Sequence, residues 1–472
     1  MGMIPLLSAL LLLSSQEDPS REQAAQALRR AADFFRAKAG VQGGYAWRVS
    51  EDLSLREGEG KCTATMAWVQ PPGTPAVGLA FLEAWEATKD PAYLEAARET
   101  ARALARGQLR SGGWTYSIEF DPEARKKVAY RVEPEGPRQF DTSTLDDDTT
   151  QAALLFLVRA DRALELKDEA VHGAAEYGLS ALLKAQHPSG GWPQRFDGPA
   201  DPAKVPARKA SYPESWPREW PKPDYKGYVT LNDGLVEDAV GLLLEAARTY
   251  EKPEYRAAAL KAGDFLILAQ MPDPQPAWAQ QYDAEMRPAW ARKFEPPSVT
   301  GGESQGALRV LLRLYRETGE KKYLEPVPRA IEYLRASRLA DGRAARFYEL
   351  RTNKPLYFTR EYALTYADDD LPTHYGFKTG CDVDRIAADF DRLKAADPAT
   401  LGSAEKTGRP KLNDRILKDA REAIAALDAE GRWVTPGRMK THEDATATRV
   451  IESATFIRNV RAISRYLAAA RP

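Results

Sequence analysis

The feature that most limits what this chain can fold into is a helical periodicity that recurs in pairs. "REQAAQALRRAADFFRAKAG" (21–40) places apolar residues three and four apart and stops at Gly40, the pattern of an amphipathic helix with a glycine stop. The same pattern returns at 75–87, 91–107, 149–165, 168–186, 235–249, 253–270, 303–317, 321–337, 413–428 and 448–470, and strand-like alternation is scarce. The helices couple. A first helix ends in a polar turn and the next opens with a tyrosine, as in "ATKDPAYLEAA" (87–97), "TYEKPEYRAAA" (249–259) and "TGEKKYLEPVP" (318–328). Pro91 and Pro253 fall in the first turn, where a missing N–H costs nothing. Hairpins that cannot bury their own apolar faces must stack on neighbours. The expected fold class is all-α: an incomplete (α/α) toroid of helical hairpins, with long irregular loops on the face that carries function.

Two of the second helices end alike. "LARGQLRSGGWTYSI" (104–118) and "LLKAQHPSGGWPQRF" (182–196) both run through Gln to a Gly-Gly-Trp corner. The corner is either a joint between repeats or a groove wall. The second reading makes Trp192 a substrate-binding candidate.

Charge excludes one class of partner. Lys plus Arg (67) nearly cancels Asp plus Glu (68), so no global field attracts nucleic acid. An acidic ligand has to be met by a local cluster. The N-terminal "MGMIPLLSALLLLSSQEDPS" has an apolar run too short for a bilayer. It suits a secretory signal peptide over 1–15, although it lacks a basic n-region. The expected location is secreted or periplasmic, with no membrane span and a monomeric chain. The toroid is expected over 16–366, and 367–472 as a helical extension on the same domain. Cys62 and Cys381 leave both a disulfide and two free thiols open.

Three loops exceed simple connections: 41–74, 115–148 and 197–230. The third, "DGPADPAKVPARKASYPESWPREWPKPDYKGYVT", mixes prolines with Tyr212, Trp216, Trp220, Tyr225 and basic residues. Aromatic faces stack on sugars and cations meet carboxylates, so a sugar-acid polymer fits; a stiffened surface loop fits equally.

Four stretches hold residue types able to do chemistry. In "STLDDDTTQ" (143–151), Asp146, Asp147 and Asp148 precede a helix. One acid suffices for a cap, and three adjacent carboxylates repel unless a cation or water separates them. Asn232-Asp233-Gly234 opens another helix. In 278–311, Asp283, Arg287, Arg292, Lys293 and Glu295 alternate with Trp278, Tyr282, Trp290 and Phe294, as in a cleft wall. Arg346, Lys354 and Arg360 run through a Tyr-rich segment at 343–366.

These stretches, in order over about 110–366, resemble the family 10 polysaccharide lyases, pectate lyases with an α-helical toroid. The carrying motifs are "STLDDDTTQ", "LLKAQHPSGGWPQRF", "TLNDGLVEDAV", "WAQQYDAEMRPAWARKFEPPSVTGGESQG" and "ARFYELRTNKPLYFTR". The resemblance implies β-elimination of α-1,4-linked polygalacturonate to 4,5-unsaturated oligogalacturonides, aided by Ca²⁺. It places metal ligation on Asp146 and Asp233, the catalytic base on Arg292, and substrate binding on Arg309 and Arg360. Arg346 and Asn232 join the substrate-binding set. The segment after Asp146 departs from the family pattern, so the metal role extends to Asp147 or Asp148. Arginine's high reference pKa stands against its use as a base unless neighbouring cations lower it. Two alternatives remain: a glycoside hydrolase using Asp146 and Asp233 as opposed carboxylates, and a non-catalytic pectin-binding module, which would not need Arg292.

Overall fold

The computed structural model describes residues 18–397, 401, 410–443 and 446–470; the expected signal segment lies outside them. The helices are α1 (Arg21–Phe34), α2 (Thr74–Thr88), α3 (Pro91–Arg106), a single turn α4 (Pro122–Arg125), α5 (Thr149–Ala163), α6 (Glu169–Ala185), α7 (Leu235–Tyr250), α8 (Pro253–Ala269), α9 (Gly301–Thr318), α10 (Val327–Ala336), α11 (Val383–Ala395), α12 (Asp414–Ala425) and α13 (Ser453–Ala469). Packing runs from α13 to α2, α5, α7, α9 and α11 as an inner row. Outside it, α3 lies on α2, α6 on α5, α8 on α7, α10 on α9, and both α1 and α12 on α13. This is an incomplete (α/α) toroid.

The two ends of the toroid differ because the connections differ. At one end the turns are short, and α2, α7 and α9 stop on left-handed Lys89, Glu251 and Gly319. The tyrosines that follow, Tyr93, Tyr255 and Tyr323, are buried; they anchor each outer helix. At the other end the chain takes long paths through 107–148, 186–234, 270–300 and 337–382 before each inner helix begins. All four paths therefore meet at the N-termini of α5, α7, α9 and α11.

The Gly-Gly-Trp corner is a joint between repeats. The indole N–H of Trp114 donates to the Leu104 carbonyl (2.9 Å), and that of Trp192 to Leu182 (2.9 Å). Trp278 and Trp433 repeat the device, on Leu266 and Ala423, without Gly-Gly. Each glutamine clamps its own turn to the next outer helix: Gln108 Nε2 donates to Gly112 and Ala174, Gln186 Nε2 to Gly190 and Ala258. Gly190 has φ +106°, and a Cβ there would meet the Lys261 carbonyl at 2.2 Å, so only glycine fits.

The substrate-binding role expected for Trp192 is corrected by this geometry. Its side chain is 0% exposed, so no sugar can stack on it. Trp192→Phe should lower unfolding stability by about 1–3 kcal/mol, because the buried Leu182 carbonyl loses its partner. Urea unfolding would read this, with substrate KM unchanged; a raised KM at unchanged stability would return Trp192 to the groove.

Two other expectations shift, and one helix is added. The helix expected over 321–337 splits into a turn at Lys321–Tyr323 and then α10, with Pro326 and Pro328 lacking the N–H groups that would continue the first turn. The start of 448–470 is a strand, Arg449–Glu452, paired with Arg48–Ser50 and Val434–Pro436. Helix α11 appears where charges masked its narrow apolar stripe of Val383, Ile386, Ala387 and Leu393. Cys62 and Cys381 are both free thiols. No helix among the described residues is long and apolar enough to cross a membrane.

Candidate active site

The site begins with two corners of the same shape. "STLDDD" leads into α5 and "VTLNDG" into α7, each through a two-residue strand, a buried leucine and a 3₁₀ turn. Asp147 (φ 49°, ψ 39°) and Asp233 (φ 50°, ψ 33°) share a left-handed backbone. Thr144 Oγ1 accepts from the Asp146 amide (3.2 Å) and Thr230 Oγ1 from the Asn232 amide (3.0 Å). Asp146 thus corresponds to Asn232, Asp147 to Asp233, and Asp148 to Gly234. Because α5 and α7 are neighbours in the inner row, the two corners touch.

That contact brings Asp146, Asp147 and Asp233 together. One carboxylate oxygen from each lies within 4.8 Å of the others. Opposite oxygens around a bound Ca²⁺ sit about 5 Å apart, so the trio is cation-sized. Asn232 is the neutral member of the repeat. Its Nδ2 donates to Asp146 Oδ1 (3.3 Å) and to Asp233 Oδ2 (2.5 Å), and it bridges charges that would otherwise repel. A bridge through one amide also means that Asp146 and Asp233 do not face each other across a sugar, as an acid and base pair of a hydrolase would. Asp148 stands outside the trio. Burial, then the neighbouring Asp238, pushes its pKa up to about 8.

The electrostatics fit a cation. Burial, then Asp146 and Asp233, pushes the Asp147 carboxyl up to about 7. Burial likewise raises Asp233, against the pull of Arg346. Clustered carboxylates that hold protons this firmly gain most from a positive charge among them.

Arg292 borders the trio. Its Nη1 lies 3.9 Å from Asp146 Oδ2, and its Nε donates to Glu295 Oε1 at 2.9 Å. Its two terminal nitrogens make no hydrogen bond among the described residues. Burial lowers its pKa, but Glu295 and Asp146 outweigh burial and hold it above its ordinary value. The guanidinium is therefore a cation in this arrangement.

The remaining sequence-predicted residues divide. Arg346 reaches Asn232 Oδ1 (3.3 Å) and Asp233 Oδ1 (3.2 Å), with Glu303 at 3.5 Å and the Tyr375 ring 4.3 Å from the guanidinium. Arg309 is held by both oxygens of Glu237, and it lines a cavity of ≈ 230 Å³ together with Asp233, Glu303 and Arg346. Arg360 is not brought to the trio. Its side chain is 69% exposed and pairs with Asp370 at 3.3 Å, because "TREY" forms a surface turn that carries it outward.

Sequence reading gave several partners no role, although it named Glu295 in a candidate stretch. Tyr116 donates its phenol to Asp146 (2.8 Å), and buried Glu295 also accepts from Tyr375 (3.2 Å). Glu295 and Glu303 stood beside motif residues, and their depth was the missing information. Tyr375 belongs to the segment 367–472, which had matched no motif.

Comparison with solved structures returns helical enzymes of several activities. A mutant of the family 10 polysaccharide lyase from Cellvibrio cellulosa, in complex with trigalacturonic acid, is 18% identical, covering 68% of this chain and 98% of its own, with a TM-score of 0.46. A family 76 glycoside hydrolase (mannosidase) from Bacteroides thetaiotaomicron is 14% identical, covering 94% and 98%, with a TM-score of 0.44. A D-mannose isomerase is 13% identical, covering 80% and 98%, with a TM-score of 0.43. No curated protein matches. Residues 108–314, which contain both corners, the acidic trio and Arg292, match the model of the pectic acid lyase family.

Proposed function

We propose that the site cleaves α-1,4-linked polygalacturonate by Ca²⁺-assisted β-elimination and that the protein works after export. One observation carries the reading: a cation-sized trio of carboxylates with an arginine, its terminal nitrogens free, 3.9 Å from one of them.

Asp146, Asp147 and Asp233 are the residues that would hold the ion. Bound there, Ca²⁺ would engage the carboxylate of the sugar being cut and draw charge from its C5. Arg346 and Arg309, beside Asp233, face further sugar carboxylates. Arg292 takes the C5 proton on a terminal nitrogen. The electron pair left on C5 forms the C4=C5 bond, the C4–O4 bond breaks, and O4 departs with a proton from solvent. Glu295 fixes the guanidinium by its Nε. Only the deprotonated fraction of Arg292 can act, so alkaline conditions favour turnover.

The test is incubation with polygalacturonate in alkaline buffer, following ultraviolet absorbance of the unsaturated product. Chelation should abolish it, and calcium should restore it better than magnesium, which demands a tighter octahedral shell. Full activity in excess chelator, or new reducing ends without the absorbing product, would remove the lyase reading.

A further inference from the structure

Beside the acidic trio runs a groove of about 860 Å³, at the upper end of what takes a drug-sized ligand. It is lined by residues from 140–144 and 193–197, and by 199–204 and 223–227 from the long proline-rich insertion. It is continuous with the site. Tyr116 and Thr144 line it, and these residues bond the Asp146 side chain and amide. Gln194 and Tyr225 line both this groove and a small pocket that ends on Asn232 and Glu295.

Two of its cations lack ion-pair partners. Arg195 and Lys226 both line it and are exposed, and among the described residues neither makes an ion pair. Of the acids on the rim, Asp201 pairs with Lys204 and the Ala203 amide and Asp224 with the Lys226 amide, while Asp197 is exposed and makes no ion pair among the described residues. At the floor lies His187, 4% exposed, with both ring nitrogens unpartnered. Burial, then Lys261 and Lys204, holds its pKa down to about 4, so the ring is neutral. Both nitrogens are sealed from the groove itself, so His187 contributes a wall rather than a contact.

We infer that this groove binds flanking uronate units of the polymer outside the bond that is cut, with Arg195 and Lys226 meeting their carboxylates, and Tyr225 and exposed Phe140 the sugar faces. The insertion thus extends the binding track to one side of the trio. The inference rests on the lyase reading for the substrate class.

Two measurements on the parent chain and on Arg195→Ala, Lys226→Ala and the double variant test it. These side chains are exposed and carry no described structural contact, so the variants should fold. Kinetics on polygalacturonate and on trigalacturonate should show KM for the polymer raised about tenfold in the double variant, consistent with lost charge-assisted contacts. Its kcat, and both constants for the trimer, should stay within about twofold of the parent on the same grounds. Retardation in gels containing polygalacturonate should weaken in the same order, and neutral galactan should retard none of the proteins. Unchanged polymer KM and unchanged retardation overturn the groove assignment while leaving the lyase reading intact. A parent that is retarded but releases no unsaturated product overturns the lyase reading, while loss of retardation in the variants still supports the groove.

Discussion

Arg292→Lys is expected to lose turnover by roughly a thousandfold at saturating substrate, as Arg292→Ala does, within the range that general-base groups contribute. Lysine keeps the charge and loses the planar fork. That fork is what the structure uses: Nε is tied to Glu295, and the two terminal nitrogens are left beside Asp146. A lysine has a single nitrogen, which would satisfy Glu295 or face the substrate, but not both. The Arg292 amide also donates to Glu295 Oε2 at 3.0 Å, so the glutamate stays in place when the side chain changes. The measurement is kcat and KM for both variants across alkaline pH. A near-normal kcat with raised KM in Arg292→Lys would make Arg292 a binding residue, and the proton would then go to another group.

Calcium should stabilise the protein more at alkaline than at acid pH. The Asp147 carboxyl is raised to about 7 by burial, then Asp146 and Asp233. Between the ordinary carboxylate range and that value, the folded protein keeps a proton that the unfolded chain has released. Stability without a cation therefore falls as pH rises through that window, and the whole penalty is present above it. A cation binds the ionised form, which makes up about a tenth at pH 6 and about nine tenths at pH 8, so the apparent affinity should change about tenfold. Thermal unfolding at fixed calcium reads this without any activity: the rise in Tm should be larger at pH 8 than at pH 6. Asp147→Asn should flatten the difference. An equal calcium-induced shift at both pH values in the parent would mean that Asp147 is not a ligand.

Much of this protein was legible along the chain because its determinants are local. Helix periodicity, the prolines at first turns and the buried tyrosines that open outer helices all act within a few residues, and the repeated hairpin followed from them. The two acidic corners were visible as "STLDDD" and "VTLNDG" for the same reason: a short polar residue in a left-handed turn before a helix has a sequence signature.

Depth and distance were decided elsewhere. Trp192 fitted both a repeat joint and a groove wall along the sequence, and only its depth decided: it is sealed in a joint whose partner carbonyl lies on the preceding helix. Asp146, Asp147 and Asp148 are equivalent in sequence. Only the packing of α7 against α5, which presents Asp233 and Asn232 to the first two and Asp238 to the third, separates them. Glu295 became the partner of Arg292 because its loop is buried, and Tyr375 reaches Glu295 from 80 residues further along the chain. The sequence by itself determined which residues turn, cap and repeat, since those are short-range backbone preferences. The tertiary structure alone decided which charges share a site, since Coulomb and desolvation energies depend on separations in space that the order of residues does not contain.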